Sequence, residues 1–418
     1  MLSVLLFLFY FILLCFVLNR WVKIKQIGIP GPVLISAFLF KVALGCLYGY
    51  LFLRYYHGDD TWMYHKESLE EVQKLLHHPV DFLKDMLPDS AFKYSKNFRQ
   101  GMDFYLMDLE NWSMIKLLAV FDLFSRGNYY INVLFFDFLV FMGPLLLFRL
   151  FCAAFPDKKK ALLVILFFLP STTFWLSGIR AEGLILLFLS LAIYCAHQFF
   201  VKGSYRYSLQ AIGGLGGALI FRSQFLLTFI PAFFGWTLCW KKPRKAMLCF
   251  SAVYLCCLCI FFGSVIVSPA NNLPVFVVNK QQEFFQLHGN TVFRLDTLKP
   301  TLPGFIRVFP EAFMNTLLRP FIWEAKGPLQ LLTATDTLAF WVLIILLLFY
   351  PVVNLRSRFS HPLLLLLAFY GLSQILLIGY TVPFPGAIAR YKTIPEILLV
   401  LYIGLLIDWG RAFNKSRK

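Results

Sequence analysis

Eleven apolar runs punctuate the chain, at about 1–18, 31–53, 129–151, 161–178, 183–201, 208–221, 223–240, 246–268, 336–353, 362–380 and 394–409. Most approach the roughly 20 residues that a helix needs to cross a bilayer. The pattern predicts an all-α polytopic membrane protein with about 11 transmembrane helices, read as a single transmembrane domain over residues 1–418. Arg222 sits between two short runs, so 208–240 is either a tight hairpin or one broken helix. Residues 1–18 lack a basic leader and a small-x-small cleavage site, which predicts a retained first span. Two long polar stretches interrupt the runs. In the first, 54–128, the segment SLEEVQKLLHHPVDFLKDML puts Leu69, Val72, Leu75 and Leu76 on one helical face. Such amphipathic helices are expected to lie at the membrane surface. The second stretch, 269–335, carries Pro274, Pro300, Pro303, Pro310, Pro320 and Pro328, which argue against one long helix. A shorter polar segment follows at 379–392.

Composition narrows the class. Of 418 residues, 59% are hydrophobic and 15% charged, against about 45–50% and 25% in soluble domains. A soluble, disordered or fibrous chain is excluded. The net charge of +17 would suggest nucleic acid in a soluble protein, but here its distribution gives another answer. The segments near 20–25, 149–160, 202–206, 241–245, 356–358 and 411–418 hold 19 of the 39 Lys and Arg, and only two acids, Asp157 within them and Asp408 beside the last, accompany them. By the positive-inside rule these segments are cytoplasmic, which places the N-terminus outside, the C-terminus inside and both long stretches on the outer face. The charge is a topology signal, and no nucleic-acid partner is expected. The nine cysteines lie in or beside apolar runs without paired CxxC spacing, so they predict neither a zinc site nor a disulfide framework.

Candidate chemistry collects on the predicted outer face. Asp59 and Asp60 follow the second run directly, in YYHGDDTWMYH, after a glycine that allows a sharp turn. Adjacent carboxylates there repel each other and are costly to desolvate. One of them can act as a general base on a hydroxyl, or the pair can take a divalent cation such as Mg or Mn; a solvated turn is the structural alternative. His57 and Tyr64 flank the pair as candidate substrate contacts. Arg390 and Lys392, just before the last run, form a cationic pair suited to a lipid phosphate, with interfacial snorkelling as the alternative. Arg180 and Glu182 stand at a predicted helix start, where the acid complements the dipole. Arg222, an ionisable residue between apolar runs, is a functional candidate by its position. Arg319 with Trp323 and Glu324 supplies a further phosphate or sugar contact. Lys41 and Asp137 lie inside runs and can pair with each other or with other buried polar groups. His57, His65, His77 and His78 repeat no metal-ligand spacing, and the glycines at 213–217 are a helix-packing signal rather than a phosphate loop.

A carboxylate pair opening the first outer loop, many spans and arginine-bearing turns on the same face resemble the GT-C superfamily of integral-membrane glycosyltransferases. The closer resemblance is to bacterial dolichyl-phosphate-mannose–protein mannosyltransferase-like and Rgt-type enzymes, carried by PSTTFWLSGIRAEGLILLFLSLAIY and GAIARYKTIPEILLVLYIGLL. The resemblance implies a polyprenyl-phosphate sugar donor, an acceptor that is a glycan, lipid or protein, and inversion at the anomeric carbon. It implies that Asp59 or Asp60 is the base. It also implies that Arg390 and Lys392, with Arg180 or Arg222, hold the donor phosphate, and that the site faces the periplasm of a bacterial inner membrane. One feature departs from the family: an extra span precedes the run that leads into the Asp-bearing loop. The other readings are a polysaccharide polymerase or ligase with a diphosphate-linked donor, a lipid or glycan transporter, and a non-catalytic envelope subunit.

Overall fold

The computed structural model describes residues 2–88, 92–93, 98–268, 272–288 and 291–413. Most of the basic tail read at 411–418 falls outside them. The principal helices of the described residues are α1 (Leu2–Ile24), α2 (Gly31–Arg54), α3 (Asp60–His77), α4 (Pro79–Lys84), α5 (Phe98–Ser125), α6 (Tyr129–Ala154), α7 (Lys159–Phe167), α8 (Pro170–Ser177), α9 (Ala181–Lys202), α10 (Tyr205–Phe221), α11 (Ser223–Cys239), α12 (Ala246–Val267), α13 (Leu273–Phe285), α14 (Leu302–Phe313), α15 (Pro328–Phe349), α16 (Pro362–Thr381), α17 (Pro385–Tyr391) and α18 (Thr393–Leu406). Among the described residues there is no β-strand.

Among the described residues, seven helices are long and apolar enough to cross a membrane: α1, α2, α6, α9, α12, α15 and α16. The stretch through α7 and α8 adds an eighth if its halves, bent by 54°, count as one span. The other apolar runs are helical but shorter, at 17, 17 and 14 residues for α10, α11 and α18. This is the make-up of an α-helical multi-pass membrane protein. Arg222 is the one residue between α10 and α11 and has extended backbone (φ −163°, ψ 105°), so 208–240 is two helices with a single-residue break. Helix α15 starts at Pro328, eight residues before the apolar run, because proline suits a first helical turn.

The helices form two compact units, Met1–Ala154 with Thr173–Leu226, and Phe155–Thr172 with Leu227–Lys418. In the first unit, α9 packs along α10. A Cβ on Gly214 would come within 2.8 Å of Ala192 N and Phe188 O, and one on Gly217 within 2.6 Å of the Phe188 ring. The glycines therefore allow close backbone approach, with 214 and 217 at the contact and 213 and 216 facing open space. Lys41 and Asp137 pair at 3.2 Å, both buried, and the ammonium also donates to Leu176 O (2.7 Å) and Ser177 Oγ (3.2 Å). A charge in an apolar interior persists when paired in this way. In the second unit α16 packs on α14 and α18, and α15 on α18. Asp336 on α15 accepts from Thr172 N (2.7 Å), Thr172 Oγ1 (2.9 Å) and Ser171 N (3.3 Å), which satisfies the exposed amides at the start of α8.

Candidate functional site

The first unit gathers the best-defined cluster. Helix α2 ends at Arg54, and the chain turns through His57 (φ 59°) and Gly58 (φ 113°). A Cβ at Gly58 would meet nothing, so only the backbone angle favours glycine there. Asp59 is then the N-cap of α3: its carboxylate accepts from Thr61 N at 3.1 Å. The other oxygen accepts from Tyr48 Oη on α2 at 3.1 Å and from Arg180 Nη1 at 2.7 Å. Arg180, buried just ahead of α9, also donates from Nη1 to Tyr48 Oη at 3.0 Å and from Nη2 to Asp60. One guanidinium thus locks both aspartates and the tyrosine below them.

A second guanidinium extends the network. Glu182 lies 4.0 Å from Arg180 Nε and 3.6 Å from Arg222 Nη2, while Arg222 Nε lies 3.7 Å from Glu110 on α5. Tyr64, one turn into α3, donates to Asn111 at 3.1 Å. Four carboxylates therefore surround two guanidiniums. Exposure divides them: the Asp59 side chain is 12% accessible and Glu182 1%, whereas Asp60 is 53% accessible. Burial pushes the Asp59 carboxyl above the usual aspartate range, only partly opposed by Arg180 and by the Tyr48 hydrogen bond. Burial, with Glu110 and Asp60 nearby, likewise raises Tyr64 and keeps its phenol protonated. The surplus of two formal negative charges disfavours an anionic ligand and suits a neutral hydroxyl or a cation. A carboxylate with a raised pKa beside such a hydroxyl is equipped to take its proton.

The structure brings Asp59, Asp60, Tyr64, Arg180, Glu182 and Arg222 into this one network and leaves His57 exposed on the turn before it. Arg180 and Arg222, read as phosphate ligands in the sequence, are each held between carboxylates. Tyr48, Glu110 and Asn111 join the cluster without a signal in the sequence. Tyr48 is one aromatic residue of an apolar run, and Glu110 and Asn111 stand on a helix with no marked amphipathic pattern. Among the described residues no group of three His, Cys, Asp or Glu side chains could hold a metal ion.

The second unit holds the remaining candidates in two settings. Lys392 is fully buried; its ammonium donates to Thr337 Oγ1 (3.1 Å) and Arg319 O (3.2 Å) and pairs with Glu396 at 3.4 Å. Arg390 lies against its neighbour: the guanidinium is 4.7 Å from the Tyr391 ring and donates to Tyr391 Oη at 3.0 Å. The other setting is a cavity of about 370 Å³ beside Arg319 and Glu324. Arg319 donates to Glu324 from Nε (3.0 Å to each oxygen) and Nη2 (2.5 Å), and to Asn315 from Nη1 (3.0 Å). That hydrogen bonding draws the Glu324 carboxyl below its usual range. Trp323 stacks on Phe321 with ring centroids 4.8 Å apart and is 81% exposed.

No family model, curated protein or solved structure matches the chain.

Proposed function

We propose that the chain is a membrane glycosyltransferase that moves a sugar from a polyprenyl-phosphate donor to an acceptor hydroxyl on the outer face of a bacterial inner membrane. The reading keeps the topology of about 11 spans, N-terminus outside and C-terminus in the cytoplasm, and assigns the acid–guanidinium cluster to the acceptor. The observation that carries it is Asp59: a carboxylate raised in pKa, fixed by the start of α3, by Tyr48 and by Arg180. In the step, Asp59 accepts the proton of the acceptor hydroxyl. The oxygen attacks the anomeric carbon, the bond from that carbon to the phosphate oxygen breaks, and the electron pair leaves with the lipid phosphate. Attack opposite the leaving group inverts the centre. Arg180 holds the base in one orientation, and the half-exposed Asp60 faces the entering substrate. The acid surplus separates this cluster from any role as the phosphate ligand.

The test is mass spectrometry of envelope glycolipids and glycoproteins from a deletion strain complemented with wild type or with Asp59→Asn. Asparagine keeps the helix cap but cannot act as a base. A single sugar missing from a defined glycan in both the deletion and the variant is the expected result. Shortened chains with the repeat unit intact would indicate a polymerase, and an unchanged profile would overturn the enzyme reading.

A further inference from the structure

The second unit holds a cavity whose lining differs in chemistry from the acid cluster, and its reading does not rest on the glycosyltransferase proposal. Its volume of about 370 Å³ lies within the range of small-molecule sites, roughly 300–1,000 Å³. The walls are tied together before any ligand arrives. Phe293 N donates to Pro383 O at 2.8 Å, which ties the strip that carries Phe293 to the segment leading into Pro385. The Arg319 guanidinium lies over the Phe293 ring at 4.2 Å and donates to Glu324 and Asn315. Gln330 accepts from Lys326 N at 2.9 Å and donates to Thr291 Oγ1 at 2.9 Å.

That wiring decides which groups a ligand can use. Arg319 and Glu324 neutralise each other, so Lys326 is the cation that sets the net charge of the lining at +1. Thr291, having accepted from Gln330, keeps its own O–H to donate, and the Gln330 amide keeps a second N–H. The Glu324 oxygens are filled by Arg319 and by Phe321 N, so this acid belongs to the wall rather than to the ligand-binding groups. Hydroxyl-directed donors and acceptors, an aromatic and proline floor, and one surplus cation match a small, polyhydroxylated anion. We infer that this cavity binds one anionic sugar unit, a pyranose-sized ring carrying a phosphate or a carboxylate. Lys326 meets the anion, Thr291 and Gln330 meet hydroxyls, and the Arg319–Glu324 pair is framework rather than a direct ligand of the charge.

The inference is tested by isothermal titration calorimetry on the purified full chain in detergent, with glucose 1-phosphate, glucuronic acid, glucose and inorganic phosphate as separate probes. At least one of the two anionic sugars is expected to bind saturably and at least tenfold tighter than glucose and than phosphate. Which of them wins identifies the anion. In Lys326→Gln, an exposed position whose side chain the fold does not need, the preference over glucose is expected to fall to within about twofold. Thr291→Ala is expected to weaken the sugar anion by several-fold while leaving inorganic phosphate unchanged. The inference is overturned if neither anionic sugar binds saturably, if phosphate binds as tightly as the sugar phosphate, or if the preference survives Lys326→Gln in a variant with wild-type thermal stability.

Discussion

Two cations in this molecule hold carboxylates in opposite ways. Arg180 stands at a helix entrance, with one partner, Asp59, mostly buried and another, Asp60, half in solvent. Lys392 is closed off completely, its three donors directed at Glu396, Thr337 and a backbone carbonyl. Both come from short charged motifs beside apolar runs, IRAE and ARYK, and the sequence puts ARYK first as the phosphate ligand with Arg180 in support. What separates them is access, since two acids, Glu396 and Asp336, also lie near the single cation Lys392. The first cluster has more acid than base and one exposed member, so it has both a reason and a route to meet a ligand. The second is saturated by protein oxygens and reads as the pin that joins α15 to α18. A buried cation is evidence of a site only when its partners leave something for a substrate.

Removing the pin should have the largest effect on stability. Lys392→Met leaves Glu396 as an uncompensated buried carboxylate, with an expected loss of about 3–5 kcal/mol. Thermal unfolding in detergent measures it. The double change Lys392→Met with Glu396→Leu should recover most of that loss, because an apolar pair replaces a buried ion pair at little cost. If the single variant is as stable as wild type, Lys392 is not a structural pin and the contrast with Arg180 fails.

Asp59→Asn should do the reverse. Transfer should fall by about 10²–10⁴, the usual contribution of a general base, while stability stays within about 0.5 kcal/mol because asparagine caps helices as well as aspartate does. Asp59→Ala should add a stability loss of about 1 kcal/mol from the missing cap. Full transfer in the stable Asn variant would reduce Asp59 to a cap and nothing more.

Much of this was legible in the chain. Every apolar run is helical, and of the two partners open to Lys41 and Asp137, each other or further buried polar groups, the fold uses the first for both and the second for Lys41. Arg222 interrupts a helix where the pattern placed a break. The partners at the sites were not legible, because burial, not spacing, decides them. Asp336 and Glu396 each carry the signal of an acid inside an apolar run, yet only the fold reveals that one caps α8 and the other meets Lys392. Tyr48 carries no signal at all, since an aromatic residue in a membrane run is ordinary until a carboxylate is found against its hydroxyl.

The smallest effect, and the sharpest for the comparison, lies in pH. The Asp59 carboxyl is raised by burial and held back by Arg180. As a base it must be ionised, so the acid limb of kcat/KM should lie above the ordinary aspartate range, and Arg180→Gln should push it higher still by removing the opposing charge. Stability follows the same linkage with its own sign. An acid whose folded pKa exceeds its unfolded value takes up protons more readily when folded, so its contribution declines as pH rises from the unfolded value through the folded one. Asp59→Asn removes that slope. Its midpoint of thermal unfolding should therefore gain on wild type across that window and hold a constant offset above it. A wild-type limb in the usual carboxylate range, unmoved by Arg180→Gln, would mean that Asp59 is solvated in the working protein. It would then resemble the surface turn from which the two clusters were distinguished.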